Sequence, residues 1–199
     1  MQSMAVSYVK HGLIAVIGSV LMAAAAPPAA SSMDDDRLLA AFARRVEAYS
    51  ELHRRLERTV PAPRVSADPA EIRRAVEGLA DLIRAARMDA RQGDIFTPDV
   101  AVRFRRLIAE GCRGDFQWLH AVIDDENPDA GRMQPLVNAR HPEGAPIAML
   151  PFSVFSRLPL LPAELEFRFM DRDLILWDWH ADLIVDYLPE AIPTTWPTW

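Results

Sequence analysis

From Leu165 the apolar residues change their spacing, and no other feature limits the fold so strongly. Before Asn127 they recur at three- and four-residue steps, the repeat of one helix face; in Leu165-Glu-Phe-Arg-Phe169 they alternate, as a half-buried strand requires. A chain patterned in this order predicts an α+β fold, with a bundle of about four helices followed by an antiparallel three-strand meander.

The helical half divides at its own punctuation. Asp34-Asp-Asp36 is expected to open the first helix at its electropositive end. Leu38, Leu39, Phe42, Val46, Tyr49, Leu52 and Leu56 then give one stripe, which Pro61 and Pro63 close. Asp68-Pro-Ala-Glu71 reads as a helix start, with a capping carboxylate, proline in the first turn and Glu three residues on. Ile72, Val76, Leu79 and Ile83 form the second stripe. Gly93-Asp94 turns the chain, Ile95 and Phe96 plug the core, and Thr97-Pro98 begins a third helix carrying Val100, Phe104, Leu107 and Ile108. Asp115 caps a fourth with Phe116, Leu119, Val122 and Ile123, and Asn127-Pro128 stops it. Residues 127–164 are proline-rich; they suggest a short extended piece at Pro135–Arg140, a short helix at Pro151–Leu158 and an extended connector from Leu158 to Pro162.

Two turns then fix the sheet. Centred on Asp171-Arg172, the first sets Phe169 opposite Leu174, Phe167 opposite Leu176 and Leu165 opposite Asp178. Centred on His180-Ala181, the second sets Asp178 opposite Leu183, Leu176 opposite Val185 and Leu174 opposite Tyr187. One face then collects Leu165, Phe167, Phe169, Leu174, Leu176, Leu183, Val185 and Tyr187; the other collects Glu166, Arg168, Ile175, Trp177, Ile184 and Asp186. A slip of one residue would destroy this division. His180-Ala181 lacks the glycine or asparagine of a two-residue hairpin, so a four-residue loop from Trp179 to Asp182 is expected.

Asp178, His180, Asp182 and Asp186 crowd into nine residues of that hairpin. A metal site needs three or more ligands converging about 2 Å from one ion. The register separates Asp182 and Asp186 from Asp178, leaving Asp178 and His180 as the metal candidates, while His53, His120 and His141 sit singly. The cluster is therefore expected to be hairpin tip and rim: the aspartates accept backbone N–H groups, and His180 points to solvent. No metal or cofactor is expected.

The first 31 residues differ from the rest. Lys10, the only lysine, precedes an unbroken apolar run from Leu13 to Ala26 and then small residues. This pattern predicts a secretory signal peptide cleaved after Ala25 or Ser31, and hence a periplasmic or extracellular protein. The run is shorter than the roughly 20 residues of a membrane-spanning helix; an uncleaved N-terminal anchor is the alternative. Residues 32–192 are read as one domain and 193–199 as a flexible tail, with no transmembrane span in the mature chain. Beyond the leader, 21 arginines face 28 acidic residues, a net charge of −7 that argues against a nucleic-acid partner.

Other chemistry finds little support. Cys112 is the only cysteine, so no disulfide forms within the chain, and its setting at a helix end reads as a small buried hydrophobe. No Gly-x-Ser-x-Gly elbow surrounds Ser153 or Ser156, and Asp124-Asp-Glu126 reads as an exposed charge run. Asp94, beside Arg91 and the Ile95-Phe96 plug, reads as a turn carboxylate.

Taken whole, the chain resembles small secreted proteins of unassigned function from arginine-rich, lysine-poor bacterial proteomes. The resemblance lies in Arg91-Gln-Gly-Asp-Ile-Phe-Thr-Pro98, Leu136-Val-Asn-Ala-Arg140, and the run from Leu165 to Pro189. It implies no catalytic residue. The last two strands also look like the closing hairpin of periplasmic nickel/cobalt-homeostasis proteins, a pattern common to many hairpins. The expected function is an exported envelope accessory or binding module without a catalytic site, presenting Trp177, Trp196 and Trp199 to an envelope protein or glycan. The alternative is a metal-binding protein or hydrolase using Asp94, Asp178 or His180.

Overall fold

Helices come first and a meander last. The computed structural model describes residues 28–60, 69–126, 134–140 and 148–192. Within it run α1 (Pro28–Glu57), α2 (Pro69–Ala86), α3 (Pro98–Gly111), α4 (Phe116–Glu126), a single-turn α5 (Phe152–Phe155), and strands β1 (Leu165–Met170), β2 (Asp173–Asp178) and β3 (Leu183–Leu188). The leader up to Pro27, the breaks at Pro61, Pro63 and Asn127-Pro128, the Asp68 cap, His141, and the tail with Trp196 and Trp199 lie outside the described residues. No helix among those described is long and apolar enough to cross a membrane.

The helix starts follow local chemistry. Proline leads α2 and α3, where its fixed φ suits the first turn and its missing N–H costs nothing. The Asp115 carboxylate accepts the Trp118 N–H at 2.9 Å to cap α4. One start differs from expectation: α1 begins at Pro28, so Asp34–Asp36 lie inside it. Proline can occupy a first turn, and Ala29-Ala30 carries strong helix propensity, so the helix extends ahead of the acidic triplet.

The sheet has order β1-β2-β3 and is antiparallel throughout. β1 and β2 pair in the register set by the Asp171-Arg172 turn, from Leu165↔Asp178 to Met170↔Asp173. The second hairpin keeps Asp178↔Leu183 around the loop 179–182, in which Asp182 takes φ 51°. Beyond it the expected register fails. Trp177 pairs with Ile184, yet Leu176 pairs with Asp186 and Leu174 with Leu188, because a bulge inserts Val185 as an extra residue. Val185 and Asp186 therefore both turn inward. Tyr187 goes to the outer face beside Ile175, and Leu188 takes its place in the core.

Each sheet edge carries one isolated bridge. Arg140 bridges to Leu183 on one side and Ala148 to Phe169 on the other. The inner face packs against α1, α3 and the Ile95-Phe96 plug, where Phe42, Phe96, Phe104 and Phe167 cluster with ring centroids 4.7–6.5 Å apart. α3 meets α5 at Gly111: a Cβ there would lie 2.6 Å from Val154 Cα, so only glycine permits the approach.

Candidate metal centre

The stripe of α1 does not stay apolar to its end. Tyr49, Ser50 and His53 are buried on the same face as Phe42 and Val46, and Glu57 follows His53 by one helical turn. A buried polar group must find a partner or cost stability. Those of α1 find theirs on the β2–β3 hairpin and on the connector before β1.

Asp178 receives them. Its Oδ2 accepts the Tyr49 hydroxyl at 2.6 Å and lies 2.6 Å from His53 Nδ1; its Oδ1 accepts the Ala181 N–H at 2.9 Å. Asp178 is fully buried, not part of a polar rim. The cross-loop acceptance of a backbone N–H follows the expectation, whereas the long-range partners lie on α1. Beside them the Ser50 hydroxyl donates to buried Glu164, whose backbone carbonyl accepts the Trp179 N–H and anchors the loop.

With Nδ1 committed to a carboxylate, the other nitrogen of His53 becomes the telling atom. Nε2 is buried and has no hydrogen-bond partner. It faces Glu57 Oε2 at 3.6 Å, and Glu57 Oε1 lies 3.0 Å from His180 Nδ1. His180 is folded back onto α1, its ring 5.5 Å from that of His53 and edge-on to Trp179 at 4.1 Å, not directed into solvent. One ligand atom each from His53, Glu57 and His180 falls within 4.8 Å of the others. Ligands at 2.0–2.1 Å around a tetrahedral ion stand about 3.3 Å apart, so small rotamer adjustments would close the set. The side chains of Glu57 and His180 remain 46% and 31% exposed, while that of His53 is 0% exposed. The site is rooted in the core and opens to water.

Electrostatics favour a cation here. Burial pulls the His53 imidazole down, but the hydrogen bond and charge of Asp178, with Glu57 and Glu164, outweigh it and leave the ring more basic than usual. Burial raises the Tyr49 hydroxyl, and Asp178 adds to the effect, so Tyr49 stays a proton donor to Asp178.

The other sequence candidates lie elsewhere. Asp94 is exposed and accepts the Arg91 N–H at 2.8 Å, which makes it a turn carboxylate. Asp182 pairs with Arg140 Nε at 3.2 Å. His120 Nδ1 meets Asp124 at 2.7 Å on the surface of α4. Cys112 is buried, and burial raises its thiol pKa, so it behaves as a small hydrophobe. Trp177 lies half-buried on the outer sheet face among Met170, Ile175 and Ile184.

Asp186, assigned by the simple register to the outer face, is instead fully buried. Its carboxylate accepts N–H groups from Gly93, Ile95 and Phe96 at 2.7–2.9 Å and from its neighbour Tyr187 at 2.8 Å. Burial raises its pKa, and the four donors oppose that rise. This is a structural clamp on the α2–α3 connection. Sequence reasoning missed His53 and Glu57 as site residues. The available signal was a histidine on a buried stripe with a carboxylate four residues later.

No family model, no curated protein and no solved structure matches this chain, so the site is read from its own geometry.

Proposed function

We propose that this protein binds a divalent transition-metal ion through His53 Nε2, a Glu57 carboxylate oxygen and His180 Nδ1. The observation that carries it is the buried, unpartnered Nε2 of His53, aimed at Glu57 while Asp178 holds the opposite nitrogen. Metal-bound histidines characteristically donate their second N–H to a carboxylate. Two imidazoles and one carboxylate suit zinc and its neighbours better than magnesium or calcium, which prefer all-oxygen shells. Three protein ligands leave a fourth position toward solvent, open to exchange.

A binding protein fits this arrangement better than a hydrolase, since Asp94 serves its own turn and does not join the cluster. The leader-like first 31 residues support work outside the cytoplasm, where the acidic domain would take up the ion in the envelope.

Calorimetric titration of the full chain with zinc is the test. One ion per chain is expected, with micromolar or tighter affinity. That binding should be lost in His180→Ala and in Glu57→Ala and kept in His120→Ala. Zinc binding that survives both ligand substitutions, or no binding by the parent, would refute the site.

A further inference from the structure

Resting on that metal reading, we propose that Asp178 is the positioning residue of the centre: it fixes the tautomer of His53 and thereby decides whether Nε2 can act as a ligand.

A neutral imidazole carries one proton, and only the bare nitrogen can bind a metal. Which nitrogen is bare depends on what surrounds the ring. On the Nδ1 side stands Asp178 Oδ2 at 2.6 Å, an acceptor that rewards Nδ1–H. On the Nε2 side stands Glu57, 3.6 Å away and half-exposed, too far for a hydrogen bond of normal geometry. The closer, buried acceptor wins, and Nε2 is left bare on the side of Glu57.

Asp178 can hold this role because its own orientation is fixed twice. Tyr49 donates to the oxygen that faces His53, and Ala181 N–H donates to the other. These two donors require acceptors on both sides of the group at position 178. A carboxylate satisfies them and His53 together. An asparagine cannot, because its NH2 must face either Ala181 N–H or the Tyr49–His53 pair. Facing the pair, it donates to Nδ1, transfers the preferred proton to Nε2 and blocks the ligand atom. Facing the loop, it opposes the Ala181 N–H and disturbs the loop that carries His180. Either arrangement weakens the centre without removing a ligand. The ligands come from α1 and the hairpin tip, and Asp178, the last residue of β2, ties the two together before any ion arrives.

The experiment pairs a tautomer measurement with a titration. In the metal-free parent, long-range nitrogen–proton correlation spectra at a pH where His53 is neutral should show Nδ1–H and a bare Nε2. Asp178→Asn should bind zinc about 10–100-fold more weakly, the range usual for loss of an outer carboxylate partner, with the His53 tautomer shifted toward Nε2–H. An Nε2–H ring in the parent would overturn the proposal with no variant needed, so a misfolded Asp178→Asn does not shield it. A folded Asp178→Asn that binds zinc as tightly as the parent would also overturn it, leaving the metal reading intact. A parent that binds no zinc would remove both.

Discussion

Asp186→Ala should unfold this protein or leave it barely folded. The substitution strands the N–H groups of Gly93, Ile95 and Phe96, for which this carboxylate is the acceptor among the described residues. A buried donor without a partner costs about 1–3 kcal/mol. The N–H groups of Ile95 and Phe96 are buried and that of Gly93 is part-buried, which places the loss on the order of 2–6 kcal/mol, against a total of about 5–15 kcal/mol for a domain. The damage would spread, because Ile95 and Phe96 are the plug between α1, α3 and the sheet. Arg87 adds to the effect: its guanidinium donates to the Val185 carbonyl at 3.0 Å and stacks over the Tyr49 ring, so the bulge is held from α2's end as well. Asp186→Asn, which keeps one acceptor oxygen, should fall between. Urea unfolding monitored by far-ultraviolet circular dichroism reads the result. An alanine variant with the parent's midpoint would show that the clamp contributes nothing.

Phe167→Ala is the second large effect. Phe167 is 4% exposed and lies 5.8 Å from Phe104, 6.2 Å from Phe42 and 6.5 Å from Phe96, ring centroid to centroid. It is where β1 meets α1, α3 and the plug at once. Removing such a ring typically costs about 3–5 kcal/mol through lost transfer energy and the cavity left behind. At roughly 2–4 °C per kcal/mol for a domain of this size, the melting temperature should fall by about 10 °C. Calorimetry yielding an unchanged melting temperature would mean that the sheet does not pack on the helices as described.

Much of the fold could be read from residue spacing because helix and strand periods are local. Leu165, Phe167 and Phe169 alternate, and the Asp171-Arg172 turn carries their register intact into β2. The same logic failed one hairpin later. A bulge is one residue long and leaves the alternation on either side unchanged, so nothing in Leu183-Ile-Val-Asp-Tyr-Leu188 distinguishes Val185 as extra. What selects it is tertiary: Asp186 must turn inward to reach the backbone of residues 93–96, and Arg87 must reach the Val185 carbonyl.

The site shows the same limit. Asp178 and His180 stood out as a polar knot, but their partners lie more than 120 residues earlier on α1. His53 read alone is a single histidine. Only the packing of α1 against the hairpin tip sets it beside Asp178 and leaves Nε2 facing Glu57. The apolar stripe did carry a clue: Tyr49, His53 and Glu57 continue the face of Phe42 and Val46. A polar residue on such a face implies a buried partner somewhere in the chain.

X-ray absorption at the zinc edge of the loaded full chain reads the ligands of the ion themselves. The expected spectrum has two imidazole nitrogens at about 2.0–2.1 Å with oxygen completing the shell, and His180→Ala should retain no zinc with that shell. A shell of oxygens alone, or two imidazoles that persist in both His53→Ala and His180→Ala, would place the ion elsewhere and contradict the assignment.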